Sequence, residues 1–177
     1  SFDSSGFTVQ LPNGNAPGNA DLGWIALRYG SSPAIQSKVY TFSTPTSTGS
    51  ATDSGAGFTP QALMYIPTFC EVASTIETDA DGGTMGIASI GGDEASCVSI
   101  QSEDNQADSD TQSMSADQIF KLPTDAGATG IEATFTSFEV TGATFSFSAV
   151  TGTAKLFPAI AFAQASLGNP WYYYAQQ

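Results

Sequence analysis

The sequence has no histidine and only four basic residues against 17 acidic ones, so its formal charge is −13. The absence of histidine removes the usual general base at neutral pH, every Ser-His or Cys-His dyad, and the imidazole ligand of most zinc sites. The scarcity of lysine and arginine disfavours nucleic acid and anionic membranes, because both are bound through basic side chains. We therefore expect a protein that is not an enzyme and binds no nucleic acid, while its acidity attracts divalent cations.

Long apolar runs and charged residues are also scarce. No stretch approaches the about 20 consecutive apolar residues of a transmembrane helix, which predicts no membrane insertion. Charged residues make up 12% of the chain, about half the usual share. Solubility must then come from Ser, Thr, Asn, Gln and Gly, a composition typical of fibres, adhesins and secreted β-proteins. This composition predicts an extracellular protein.

Cys70 and Cys97 are the only two cysteines. In an extracellular β-domain they are candidates for one disulfide, and closing that loop would contribute roughly 3–4 kcal/mol in the chain-entropy model. The alternative is that both are small buried apolar residues in neighbouring strands, which is common for unpaired cysteines. The sequence leaves both interpretations open.

Alternation of apolar and polar residues predicts β-strands along most of the chain. Phe145 and Phe147 alternate with Thr and Ser residues, which places both rings on one face of a half-buried strand. The continuously apolar residues 62–66 predict a central strand. Further strands are predicted at 85–90 and 97–100, joined by the Gly-Gly-Asp-Glu turn at 91–94, and at 156–162.

Helical periodicity is weak by comparison. No window keeps a 3.6-residue stripe, and the best helical candidate, 115–121, would form one or two turns. Pro158 is expected at a sheet edge or a bulge, since proline cannot donate a hydrogen bond to a ladder. Short strands separated by Gly-rich turns predict an all-β fold, an antiparallel β-sandwich with jelly-roll-like character.

An internal similarity suggests how the chain is divided. Residues 1–8 resemble residues 137–144, and residues 24–27 resemble 159–162 in the same order. The agreement favours an internal repeat over the chance similarity of two hairpins. The predicted parts are a closing hairpin of a preceding copy (1–30), a Ser/Thr-rich strand and connection (31–56), a β-sandwich module (57–163) and an aromatic C-terminal tail (164–177).

Residues 57–66, Gly-Phe-Thr-Pro-Gln-Ala-Leu-Met-Tyr-Ile, resemble the Gly-Phe-x-Pro opening of β-sandwich modules in phage tail, fibre and other virion structural proteins. In those modules a Gly-rich strand, a polar loop, a Ser-Phe-x-x-x-Gly hairpin and a strand of small apolar residues follow. The same order occurs here at 85–88, 102–115, 137–147 and 160–163. The resemblance covers about two thirds of the chain and carries no catalytic residues.

The resemblance implies a non-enzymatic virion structural protein, either a capsid decoration protein or a tail or fibre component. Such a protein would lie at the virion surface and would contact copies of itself and other virion proteins through symmetric interfaces. One alternative is a secreted adhesive module that binds a cell-surface glycan. Another is a filament-forming surface subunit in which residues 1–30 complete a neighbour's sheet.

Two clusters are candidate sites. Glu77, Asp79 and Asp81, followed by two glycines, have the spacing of the start of a calcium loop. The bidentate Glu that would close an EF-hand is absent, so an acidic hairpin turn is the alternative and Ca²⁺ is the one cofactor to consider. The aromatic residues near the C-terminus are interface candidates, because such rings anchor protein contacts: Trp171, Tyr172, Tyr173 and Tyr174.

Overall fold

The computed structural model describes residues 35–71, 85–92, 94–102, 111–124 and 128–164, without the side chains of 102, 111–116 and 164. Every regular element in these ranges is a β-strand. The strands are β1 (Ile35–Ser43), β2 (Gly49–Asp53), β3 (Ala62–Tyr65), β4 (Met85–Gly91), β5 (Glu94–Ser102), β6 (Thr111–Ala116), β7 (Phe120–Pro123), β8 (Thr129–Glu139), β9 (Gly142–Ala149) and β10 (Leu156–Gln164).

The strands form two antiparallel sheets. The six-stranded sheet has the order β1-β10-β3-β4-β5-β6, and the four-stranded sheet has the order β2-β9-β8-β7. The chain crosses between the sheets after β1, β2, β6 and β9. Since β1 lies in one sheet and β2 in the other, both strands belong to the sandwich. The predicted hairpin at 1–30 and residues 165–177 of the predicted tail lie outside the described residues. The predicted all-β antiparallel sandwich is confirmed.

Aromatic rings from both sheets fill the space between them. Phe120 of β7 lies 4.9 Å from Phe157 of β10 and 5.1 Å from Tyr65 of β3, measured between ring centroids. Phe145 and Phe147 of β9 are both buried, as their period-two spacing predicts. Such ring contacts add to the free energy of apolar burial because edge-to-face geometry suits the ring quadrupoles.

The helical candidate at 115–121 is wrong. β6 ends at Ala116, a bend follows, and β7 begins at Phe120. Here the chain crosses from one sheet to the other, and Ile119 and Phe120 are both fully buried. In the sequence, the adjacent apolar residues Ile119 and Phe120 look like the apolar side of a helical turn. In the structure they are buried where the chain passes from one sheet to the other, and no helix forms.

The placement predicted for Pro158 is also wrong, because β10 lies between β1 and β3 in the interior of its sheet. The carbonyl oxygen of Pro158 accepts a hydrogen bond from the Ile66 N–H at 2.8 Å. In an antiparallel strand the nitrogen and oxygen of one residue face the same neighbour, so the proline nitrogen also faces β3. The pairing of β10 with β3 begins at Ala159, so the missing N–H falls beyond the end of that ladder.

Candidate interaction surface

The outward face of the six-stranded sheet carries rows of apolar side chains. One row crosses the sheet through Val39, Ile160 and Met64, which are aligned by strand register. On the next rows Ile87 is paired with Val98, and Met85 with Ile100. Isoleucine, valine and methionine side chains here face away from the core of the described sandwich.

These side chains are exposed to a degree that is unusual for their size. Val39 is 75% exposed, and Ile87, Val98 and Ile100 are each at least 50% exposed. Together with Met64, Ile66 and Met85, the last three line a shallow groove of about 450 Å³. A contiguous exposed apolar surface marks an interaction site more reliably than scattered apolar residues do.

Charge is nearly absent from this face. The outward positions of β1, β3, β4, β5 and β10 whose side chains are described include one charged residue. This residue is Glu94, at the turn between β4 and β5. Small polar residues surround the apolar rows, among them Ser37, Thr41, Ser89 and Ser96. An apolar centre within a polar rim is the usual anatomy of a protein interface.

Strand β10 shows how this face arises. Its side chains alternate between the two faces of the sheet, as predicted. The inward, buried set consists of Phe157 and the alanines at 159, 161 and 163. The larger Ile160 and Phe162 stay half-buried on the outward face. Inward alanines leave room for rings from the opposite sheet, so β10 keeps bulky side chains for the outside. This surface was not predicted, although the apolar run at 62–66, apolar on both faces of its strand, was a signal for it.

The outward face of the four-stranded sheet is polar. Thr52 and Thr144 are paired there, with their hydroxyl oxygens 3.0 Å apart. The Lys121 ammonium lies 3.5 Å from the Glu132 carboxylate on the paired strand. One face of the sandwich therefore has the polar surface that suits water, and the other does not.

Between the sheets a buried carboxylate joins two tyrosines. Asp53, 3% exposed at the end of β2, accepts hydrogen bonds from the hydroxyls of Tyr40 and Tyr65, each at 2.6 Å. Its second oxygen accepts from the Gly55 N–H at 2.8 Å. Burial, and then the charge of Asp53, raises the pKa of Tyr65 well above its usual range. Burial, and then the hydrogen bond to Asp53, likewise raises the pKa of Tyr40. The network links β2 to β1 and β3 across the space between the sheets.

The tyrosine pKa shifts predict a loss of stability at alkaline pH. A phenol whose pKa is higher in the folded state favours folding fully below its unfolded pKa of about 10, and this contribution is lost as pH rises from there toward the folded pKa. We expect the free energy of unfolding, measured with urea from about pH 8 to about pH 11, to fall above about pH 10. The Tyr65→Phe variant should fall less steeply, since it lacks one titrating group. Equal slopes for the two proteins would contradict this assignment.

A second polar contact, between buried Lys155 and exposed Glu71, fixes the chain before β10. The Lys155 ammonium is 4% exposed and lies 2.5 Å from the Glu71 carboxylate, which also accepts from the Thr153 hydroxyl at 2.7 Å. The ammonium sits 5.5 Å from the centroid of the Phe69 ring. Lys155, then Thr153, lowers the pKa of Glu71. This ion pair restrains the loop that leads into β10.

Gln101 of β5 is fully buried, and neither atom of its amide has a hydrogen-bond partner in the part of the chain that the structure describes. A buried unpaired polar group costs about 1–3 kcal/mol. Replacing Gln101 with Met, similar in shape and apolar, is therefore expected to raise the free energy of unfolding by about 1–2 kcal/mol.

Urea unfolding followed by circular dichroism measures this change. The matched control is Gln36→Met on the exposed surface of β1, which should stay within about 0.5 kcal/mol of the parent protein. A less stable Gln101→Met protein would show that the amide makes hydrogen bonds which favour the folded state.

The two residues considered for a disulfide are far apart in the sheet. Cys70 lies in the segment after β3, where its carbonyl accepts a hydrogen bond from the Leu156 N–H of β10, whereas Cys97 is buried in β5, two strands from β3 in the sheet order. At about 4.8 Å per strand this exceeds the about 7 Å that a disulfide spans between Cα atoms. The structure accordingly has no disulfide between them. Cys97 is buried in the core as a small apolar side chain.

The remaining predicted site residues lie outside the described residues: Glu77, Asp79 and Asp81 of the calcium candidate, and Trp171, Tyr172, Tyr173 and Tyr174 of the aromatic tail. Within the described ranges no group of three or more His, Cys, Asp or Glu side chains is placed to hold a metal ion. Glu94 and Asp117 line a polar cavity of about 620 Å³ near the β4–β5 turn. No helix in these ranges is long and apolar enough to cross a membrane.

Comparison with protein-family models, with curated protein sequences and with solved structures finds no match to the chain.

Proposed function

We propose that this chain is a non-enzymatic structural protein of a virion, a capsid decoration protein or a tail or fibre component, which works through protein contacts. The observation that carries the proposal is the contrast between the two outward faces of the sandwich. The Ser/Thr face suits solvent, while the face through Met64, Ile87 and Val98 is apolar and nearly uncharged. An exposed apolar surface of this kind is typical of a protein contact site, where apolar burial favours association.

The resemblance of residues 57–66 to virion β-sandwich modules supports the choice of a virion. In the structure these residues form the approach to β3 and β3 itself, which lies in the middle of the apolar face. A glycan-binding role is supported less well, because sugars stack on exposed rings. Every aromatic side chain in the described ranges is buried or half-buried.

Purified virions from the source culture provide the test. We expect the chain to co-purify through a density gradient and to occur in a fixed copy number relative to the other particle proteins, measured by quantitative mass spectrometry. A soluble secreted protein mixed into the same culture serves as the carry-over control. Absence of the chain from all particle fractions, or a copy number that varies between preparations, would contradict the proposal.

A further inference from the structure

From the composition and dimensions of the apolar face, we infer that its partner is a second copy of this chain, packed face to face across a two-fold axis. This inference rests on the proposed function and names the partner of the same surface. The contact centres on Ile66, Ile87 and Val98, with the Ser and Thr residues of the same face at its rim.

The charge distribution selects this surface for self-association. Each copy has a formal charge of −13, so two copies repel one another through most possible contacts. In the proposed dimer the outward face of the six-stranded sheet packs against the same face of the second copy. Within the described strands, the only charged residue on each face is Glu94, which lies at a corner. Like-charge repulsion across the centre of this contact is absent, and apolar burial there is not opposed by desolvation of charged groups.

The dimensions of the face match those of a stable interface. The six strands have four to nine residues each, about 25 Å on average, and at a spacing of about 4.8 Å they give a face of roughly 650 Å². Two such faces bury about 1,300 Å² together, within the about 1,200–2,000 Å² of specific protein complexes. Sheets pack face to face at about 10 Å when both carry interdigitating apolar side chains. The groove lined by Met64, Ile66 and Met85 provides space for interdigitation.

Salt dependence is a second consequence. Repulsion between two strongly acidic copies is screened over about 8 Å at physiological ionic strength and over a shorter range at higher salt. The dimer should therefore tighten when sodium chloride rises from about 0.05 M to about 0.5 M. An interface held by ion pairs would weaken over the same range.

The experiment compares the full chain with charge-matched variants by sedimentation equilibrium from about 1 µM to about 100 µM. Ile87→Lys and, independently, Val98→Lys place a cation at the centre of the contact, and each occurs twice in a symmetric dimer. Thr134→Lys makes the same charge change on the exposed polar face of β8. Far-UV circular dichroism and unfolding midpoints establish that each variant is folded.

We expect a dimer for the unsubstituted chain and for Thr134→Lys, and at least about a 100-fold increase in Kd for a folded Ile87→Lys or Val98→Lys protein. The inference is overturned by a monomeric parent chain at high salt, by open-ended association, or by folded face variants that dimerise normally. The virion measurement is independent of these results. A monomer present in particles at fixed copy number refutes only the self-pairing, and a dimer absent from particles refutes only the proposed function.

Discussion

Replacing Gly142 with alanine is expected to lower the free energy of unfolding by at least about 3 kcal/mol. A Cβ atom at this first residue of β9 would lie 1.8 Å from the carbonyl oxygen of Asp53 and 3.2 Å from the Cα of Ser54. Both obstructing atoms belong to the backbone, so no side-chain rotation relieves the overlap. The end of β2 must move away from β9 by more than 1 Å, and the hydrogen bonds around Asp53 lose their geometry.

Thermal unfolding followed by circular dichroism measures the effect as a fall in Tm of about 10 °C, taking about 2–4 °C per kcal/mol for a domain of this size. The matched control is Gly91→Ala at the end of β4, where an added Cβ meets no atom within 4 Å. Both variants add one methyl group to a strand glycine, so chain entropy changes alike. Equal Tm values for the two variants would show that β2 and β9 do not approach as closely as the structure has them.

The fold was predictable from sequence because it depends on short-range periodicity. Phe145 and Phe147 alternate with hydroxyl residues, and the Gly-Gly turn at 91–92 ends one strand before the next begins. These local features require no knowledge of which strand pairs with which. They identify strands and turns, and a chain of many short strands has few compact solutions other than two packed sheets.

Which side of a strand faces the core was less predictable. In β10 the larger residues at 160 and 162 suggest an inward face, yet Phe157 and its neighbouring alanines fill the core. The choice depends on the opposite sheet, where the Phe120 and Phe145 rings already occupy the space. Packing volume is a property of residues far apart in sequence, and alternation alone does not report it.

The Asp53 network was unpredictable for a related reason. Asp53 lies in a Ser/Thr/Gly-rich stretch that reads as an exposed connection. Its hydrogen-bond donors, Tyr40 and Tyr65, come from two other strands on either side of it in sequence. Only the assembled sandwich brings these groups together, so the residue carries no local signature.

Replacing Asp53 with alanine is expected to lower the free energy of unfolding by about 3–5 kcal/mol, because three donors lose their acceptor. These donors are the hydroxyls of Tyr40 and Tyr65 and the N–H of Gly55. Both tyrosine hydroxyls lie in the space between the sheets. Water that entered to replace the lost carboxylate would have to be buried there, which costs free energy. Urea unfolding at neutral pH, where both tyrosines are protonated, measures the loss.

A mutant cycle separates the unpaired hydroxyls from the cavity that the Asp53→Ala change leaves. When Tyr40 and Tyr65 are already phenylalanine, both hydroxyl donors are gone and the buried carboxylate keeps only the Gly55 N–H. Asp53→Ala in that background should cost at least about 2 kcal/mol less than in the parent chain. Equal costs in both backgrounds would mean that the change acts through lost packing, and that the hydrogen bonds between β1, β2 and β3 do not hold the sheets together.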